Sequence, residues 1–346
     1  MLRMEEITST FPVINDRYQI LNTISSGGMA VIYRATDLVL DRPVALKILK
    51  KDLSRKEDFR EQFSIEAKAT ANLSHVNIVT TFDFGVYGER LYIAMELIEG
   101  SILKDLIPDK TISLLERISY LEQACRGLAY AHSKKIIHCD IKPQNMLVSN
   151  NGALKLTDFG ISRVLDTITR ESASDEIWGS PFYIAPEIAH GSPPSYASDV
   201  YSMGVVMYEV LTKELPFTGE DVLTVIEKHQ EETPVPPTHI NPKIPPGIDA
   251  IIQKALSKNP KKRYQDASAL LDEIWNATKS FSNNFYGNST PEEIILDEIE
   301  VVDEKETEKP TQPELDWKTI LLSFITIILV GGLVPFWLFV YYSINR

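Results

Sequence analysis

HCDIKPQNMLVSNNGALKLTDFG, residues 138–160, sets the side chains of Asp140, Lys142, Asn145 and Asp158 around two short apolar pieces, MLVS and ALKLT, that read as strands. Long helical patterns flank this stretch, from Leu114 to Ser133 and from Ala197 to Leu211. Before Gly100 the periodicity changes. RYQILNTIS, AVIYRATD, RPVALKIL, VTTFDFGV and RLYIAMEL alternate, are rich in β-branched residues and read as five strands. One helical stretch, about Lys56 to Leu73, separates the third from the fourth, with Phe59, Phe63, Ile65 and Ala69 as its apolar residues. A small sheet-rich lobe (about 17–98) followed by a larger helical one (about 99–280) is a bilobal α+β arrangement.

The 346 residues suffice for one large two-lobed domain with further segments attached. With 44% hydrophobic and 24% charged residues, wholesale disorder and fibrous repeats are excluded. Cys125 and Cys139 cannot build a disulfide framework, which places the chain in a reducing compartment. The net charge of −13 argues against nucleic acid as a partner, and the six histidines lack zinc-ligand spacing.

ISSGGMAVIY joins the first two strands, where a glycine turn can lay backbone N–H groups over phosphates; Gly27 and Gly28 would serve an ordinary hairpin equally well. No GK[ST] follows, and the turn joins two strands, so neither a Walker loop nor a dinucleotide fingerprint is present. Order and spacing carry more weight. Lys47 lies in VALK on the third strand, Glu66 in the helix after it, then come HCDIKPQN (138–145), DFG (158–160) and APE (185–187).

This succession resembles the protein kinase signature set over about Arg17 to Lys279, and GGMAVIY, DIKPQNML and LTDFGI are similar in style to the eukaryotic-like serine/threonine kinases of bacteria. The resemblance implies ATP with Mg²⁺, or Mn²⁺ in its place, as cofactors. Lys47 would hold the phosphates and Glu66 would direct it, while Asn145 and Asp158 would hold the metal. Asp140 would take or orient the proton of the attacking hydroxyl and Lys142 would stabilise the transferring group. Ile24, Ser25, Gly27, Gly28, Ile32, Ala45 and Leu147 would line the nucleotide; Met95 would guard the back of the adenine pocket, with Glu96 to Ile98 as the hinge. Lys142 and Ser180 point to Ser/Thr rather than Tyr substrates, and Asp199 and the Glu187–Arg263 pair read as architectural.

The pattern departs at Ser25 and Ala30, which replace the loop's first and third glycines, and Ser25 has less freedom at positive φ. Cys139 replaces the Arg that such kinases place between His and Asp, the usual partner of a phosphorylated activation loop; Arg163 is its substitute candidate. Cys139 reads as an apolar space-filler, with a redox-sensitive thiol as the alternative, and His138 as a packed residue. A catalytically weak membrane scaffold is the competing reading of these departures.

Residues 1–16 read as an N-terminal extension. Residues 281–317 form an acidic linker; from 282 on, eleven acids face only Lys305 and Lys309. Ile295, Ile299 and Val302 fall at helical spacing there, which suits a short docking or dimerising helix. From Thr319 to Tyr342 no charge occurs, and the stretch 318–342 reads as one transmembrane helix with Trp317, Tyr341 and Tyr342 at the interfaces and 343–346 as a short outer tail. The whole reads as a single-pass cell-membrane enzyme with its kinase domain in the cytoplasm, where ATP is. Its partners would be proteins bearing Ser/Thr, the bilayer and a second copy in a homodimer.

Thr167, Thr169, Ser172 and Ser174 are the hydroxyls open to autophosphorylation between Asp158 and Glu187. Without the Arg that Cys139 replaces, a phosphate there lacks a charge-assisted partner, so changing all four to Ala should lower the steady-state rate less than about tenfold. A fall as deep as that of Asp140→Asn would make another basic residue the reader of that phosphate.

Overall fold

The computed structural model describes residues 12–159 and 181–286, together with Tyr341 and Ser343. An antiparallel six-stranded sheet, ordered β1-β2-β3-β4-β6-β5, builds the first lobe. Its strands are β1 (Val13–Ile14), β2 (Tyr18–Ser26), β3 (Ala30–Asp37), β4 (Arg42–Leu49), β5 (Thr81–Tyr87) and β6 (Arg90–Glu96). β-Alternation along β4 sends Val44, Leu46 and Ile48 to one face, where they pack with Ile14, Tyr18 and Tyr92. Ala45 and Leu49 face the other way, onto Phe63 and Ala67 of helix α2 (Glu57–Ala71). Lys47, between them in the alternation, is therefore the polar member of the helix-facing side.

The expected five strands and one helix are present. Two elements are additional: β1, paired with β2 through Val13↔Gln19 and Ile14↔Tyr18, and the single helical turn α1 (Lys51–Ser54). In α2 the buried apolar positions are Phe59, Phe63 and Ala67, one turn apart; the side chains of Ile65, Glu66 and Ala69 lie outside the described residues.

In the second lobe, Ser113 caps α4 (Leu114–Ser133) by accepting from the Glu116 N–H at 3.1 Å. Helix Tyr196–Thr212 begins in a Ser195/Ser198 capping box and is buried almost throughout, which makes it the axis of the lobe. Helices Pro246–Ala255 and Ala267–Tyr286 close around it. A small sheet, β7 (Gly100–Ile102), β8 (Met146–Ser149) and β9 (Leu154–Leu156), lies where the lobes meet. Two glycines permit that junction. A Cβ on Gly100 would come within 2.0 Å of the Val148 carbonyl, and one on Gly127 within 2.6 Å of the Asn77 carbonyl. The second contact lets α4 reach the segment entering β5, where Asn77 donates to Leu154 O at 2.9 Å.

Among the described residues no helix is long and apolar enough to cross a membrane. The apolar run 319–342 lies outside them apart from Tyr341, as do the acidic linker beyond Tyr286 and the segment 160–180 with Arg163, Thr167, Thr169, Ser172, Ser174 and Ser180.

Arg263 is buried and uses all five of its donors. Nη1 and Nη2 bind the two Glu187 oxygens at 2.7 and 2.8 Å, and the remaining N–H groups bind the carbonyls of Ala197, Ser257 and Lys258. Removing one member of such a pair costs about 3–5 kcal/mol. Arg263→Ala should lose that much in urea denaturation of residues 1–288, the compact unit of the chain. A loss below about 1 kcal/mol, the range of an exposed pair, would mean that water replaces the guanidinium.

Candidate active site

β2 and β3 turn back on each other at Ser26 to Ala30, and the turn closes with Gly27 N–H donating to Ala30 O at 3.0 Å. Below it opens a cleft of about 550 Å³, roofed by the two strands and floored by the loop after α4. Ile24, Ile32, Ala45, Met95 and Leu147 supply apolar walls, and Leu97 and Ile98 line one end beyond the last paired residue of β6, outside the sheet's ladder. Such walls accept a flat ring, and the backbone of the end segment is open to read its edge. Ser25, Gly27 and Gly28 line the roof, while Lys47, Asp140, Lys142, Asn145 and Asp158 line the polar end.

The polar end is tightly cross-linked. Lys47 Nζ pairs with Asp158 Oδ1 at 2.6 Å, joining the sheet lobe to the helical lobe. Lys142 Nζ lies 2.7 Å from Asp140 Oδ2, and Asn145 Nδ2 donates to the Asp140 backbone oxygen at 2.9 Å and to Oδ2 at 2.8 Å. Because its amide nitrogen is committed to Asp140, Asn145 has its oxygen available as a ligand. With the Asp158 carboxylate this makes a hard-oxygen donor set, the kind Mg²⁺ or Mn²⁺ takes, so the residues present fit such an ion. Burial by itself would raise the Asp158 carboxyl; the charge and hydrogen bond of Lys47, aided by His138 and Lys142, outweigh it and hold the group below the usual carboxylate range.

Asp199 of helix Tyr196–Thr212 sets the direction of the loop. Its carboxylate accepts from the backbone N–H groups of His138 at 2.7 Å and Cys139 at 2.9 Å. Cys139 is held at φ +66°, a left-handed conformation rare for a side chain of its kind. His132 Nδ1 accepts from Ala267 N–H at 3.1 Å, so the proton sits on Nε2, which donates to Asp199 at 3.0 Å. His138 is fully buried with its ring 4.3 Å from that of Phe159, and burial lowers its pKa; it is packing, as its position suggests, rather than a base. Asp158 too has positive φ, +60°.

The cleft brings together every residue that the sequence nominates except Glu66, which sits on α2 with its side chain outside the described residues. Ser25 needs no freedom at positive φ, contrary to expectation: it lies in the extended part of β2, opposite Ile32. Sequence reading missed Met29, Gly100, Ser101, Ile102, Gln144 and Thr157 as lining residues. Thr157 and Gln144 were open to detection by adjacency to Asp158 and Asn145; Ser101 and Ile102 enter only because β7 pairs with β8. Lys155 on β9 pairs with the Glu96 side chain at 3.0 Å, which steadies the end segment of the cleft and has no signal in the sequence.

Residues 18–276 match the model of the protein kinase domain. The chain is 40% identical over 263 residues to a probable serine/threonine-protein kinase of Clostridium perfringens, covering 76% of this chain and 38% of that protein. It is 36% identical over 341 residues to the serine/threonine-protein kinase PrkC of Bacillus subtilis, covering 92% of this chain and 52% of that one. The PknB kinase of Mycolicibacterium smegmatis is 40% identical over 263 residues, 74% of this chain and 42% of its own. The chain thus spans about two fifths to one half of the length of these relatives. Among solved structures, the PknI kinase domain of Mycobacterium tuberculosis superposes with a TM-score of 0.61 over 78% of this chain and 99% of its own at 20% identity, which is a likeness of fold.

The Lys47–Asp158 pair makes stability depend on pH with a definite sign. A carboxyl whose pKa is lowered on folding stabilises above its unfolded value of about 4, and that contribution is lost as the pH falls through the folded one. Lys47→Met leaves burial, which raises the carboxyl, opposed only by the weaker pull of His138 and Lys142. The stability gap between wild type and Lys47→Met should therefore be widest near pH 7 and narrow below about pH 4, read from urea midpoints. A gap independent of pH would show that Lys47 acts through packing alone.

Proposed function

The chain belongs to the protein kinase family, and from that premise we propose that it is an ATP-dependent serine/threonine kinase tethered to the cell membrane. One observation carries the reading: a single apolar cleft converges on Lys47, Asp158, Asn145, Asp140 and Lys142 at its polar end. The adenine ring would lie between Ile24, Ile32, Ala45 and Leu147, behind Met95, with its edge on the backbone from Glu96 to Ile98. Phosphates would run under Ser25, Gly27 and Gly28 toward Lys47, which Glu66 would direct from α2. Asp158 and Asn145 would hold Mg²⁺, or Mn²⁺, which when bound neutralises phosphate charge.

In this reading Asp140 acts on the incoming hydroxyl of a protein Ser or Thr. One of its oxygens is fixed by Asn145 and Lys142, so its carboxylate is oriented before any substrate arrives. As the hydroxyl oxygen bonds to the γ-phosphorus and the bond to the ADP oxygen breaks, Asp140 takes the proton and Lys142 faces the charge on the transferring group. Positioning and charge neutralisation suffice for this reaction, and no nucleophilic side chain is required. The scaffold alternative draws on Ser25 and Cys139; Ser25 pairs with Ile32 just past a register shift in β2, without positive φ, and Cys139 offers its backbone to Asp199, so neither removes a catalytic group.

The run 318–342 supplies the anchor in this reading. Its 24 uncharged residues from Thr319 to Tyr342 would extend roughly 36 Å as a helix, enough for a hydrocarbon core of about 30 Å. The acidic stretch 281–317 would hold the kinase domain, residues 17–280, off an anionic surface on the cytoplasmic side. Held in two dimensions, copies of the chain meet often, which favours autophosphorylation in trans and a homodimer.

Residues 1–288 with labelled ATP and Mg²⁺ should label Ser and Thr of a generic protein substrate, and Asp140→Asn or Asp158→Ala should lower the rate by about 10³-fold or more. The full chain should sediment with membranes and the truncated form should stay soluble and active. Equal labelling by wild type and Asp158→Ala would sink the kinase reading; phosphotyrosine as main product would sink the Ser/Thr assignment; a full chain free of membranes would sink the anchor.

A further inference from the structure

Three strands carry one row of side chains from the tip of the β2–β3 hairpin to the polar end of the cleft. Ser25 on β2 lies opposite Ile32 on β3, and Ile32 lies opposite Lys47 on β4. Residues directly opposite one another in an antiparallel pair share a face, and Ser25, Ile32 and Lys47 all line the cleft. The register shift just before Ser25 brings Ile24 to the cleft as well. Ser25 and Lys47 are two strand spacings apart, about 10 Å. The next row, Ser26, Val31 and Ile48, points to the other face, where Ile48 packs with Tyr18 and Tyr92. Of two adjacent serines, one shares a face with Lys47 and the other does not.

Ser25 is also open to a second molecule. It is exposed, and so are Ser26, Gly27 and Gly28 after it. The two glycines add no side chains to the tip, which leaves it narrow enough to enter another cleft. A nucleotide under the roof would cover Ser25, so its hydroxyl is accessible in a copy whose own cleft is empty.

We propose that Ser25 is a phosphorylation site through which the kinase limits its own activity, a second copy of the chain being the donor enzyme. The inference rests on the kinase reading above. Ser25 Oγ of an empty copy bonds to the γ-phosphorus of ATP held by the second copy, the bond to the ADP oxygen breaks, ADP leaves, and the hydroxyl proton passes to Asp140 of that second copy. The product carries about −1.5 to −2 charges at neutral pH, and the combined reach of a phosphoserine and a lysine side chain spans the row to Lys47. There the phosphate draws Lys47 away from Asp158 and fills the space under the roof that the phosphates of a nucleotide need. Like charge repels those phosphates in addition. The apolar walls at Ala45, Met95 and Leu147 are left as they were, so adenosine, which has no phosphate, still fits. A phosphate on Ser26 would do neither of these things, because it lies on the opposite face.

The test mixes a tagged full chain carrying Asp140→Asn, in detergent, with untagged wild type, ATP and Mg²⁺, then recovers the tagged chain. Trypsin releases residues 18–34 between Arg17 and Arg34 as one peptide, and phosphate should be found on it at Ser25. The recovered chain should bind ATP at least about tenfold more weakly than the same sample after phosphatase treatment, with adenosine affinity changed by less than about threefold. An acceptor that also carries Ser25→Ala should show no such difference, which separates Ser25 from every other phosphorylated residue. Ser25→Glu should reproduce the selective loss of ATP affinity and Ser26→Glu should not, adenosine binding reporting that each is folded. The phosphatase comparison needs no change at Ser25 and decides the matter should Ser25→Glu not fold. Phosphate on other residues but none on Ser25, an equal loss of ATP and adenosine affinity, or a loss that persists in the Ser25→Ala acceptor would each overturn the proposal and leave the kinase reading intact. A wild type that phosphorylates neither itself nor any other protein would overturn both.

Discussion

One carboxylate, that of Asp199, holds the catalytic end of the cleft in shape. It accepts two consecutive backbone N–H groups, of His138 and Cys139, and so fixes a left-handed turn that a side-chain-bearing residue adopts only when its surroundings impose it. That turn delivers the chain to Asp140 with its carboxylate facing the cleft. The same oxygen that accepts from His138 N–H also accepts from His132 Nε2–H, and His132 Nδ1 in turn accepts from Ala267 N–H. Three helices and the loop therefore meet on one buried charge, and Asp140 inherits its orientation from the packing of the whole second lobe. A lesion at Asp199 belongs to folding and to chemistry at once, because the strain at Cys139 is sustained by the bonds that aim Asp140.

Legibility in the sequence followed the kind of information each residue carries. Asp140, Lys142, Asn145 and Asp158 were readable because the order of HCDIKPQN and DFG matches the protein kinase signature set, and the fold brings all four to one end of the cleft. Long elements were readable as well: α4 runs from Leu114 to Ser133 as its periodicity predicts, and the helix expected from Ala197 to Leu211 gains Tyr196 from its Ser195 cap and Thr212 before Lys213 turns left-handed. Elements below the length of a period were not. β1 has two residues and α1 four, and neither can display an alternation or a helical face.

The remaining misses share a cause, which is that partners far apart in the chain leave no local mark. Lys155 and Glu96, or Lys104 and Glu209, look alone like solvated charges, the common fate of such residues. Only the return of β9 beside the end of β6, or of α3 (Leu103–Leu106) beside helix Tyr196–Thr212, makes them pairs. Ser25 shows the reverse error. A comparison with glycine placed a conformational demand on it, whereas its backbone bonds opposite Ile32 make it an ordinary extended residue that tolerates any small side chain. What the position requires is room under the roof of the cleft rather than positive φ.

The Lys47–Asp158 pair ties the chemistry to the two-lobed architecture. Lys47 comes from the interior strand β4 and Asp158 from the chain just after β9, so their 2.6 Å contact crosses between the lobes. Each charge is a partner of the other, and separating them takes one counter-charge from a buried lysine and one from a partly exposed carboxylate. A polyanion alone would draw Lys47 away from Asp158; a cation alone would draw Asp158 away from Lys47. In the proposed reaction both arrive together, so each supplies the counter-charge that the other displaces, and the binding of each favours the other. Charge balance at this inter-lobe contact would thereby favour the complete substrate over either of its halves.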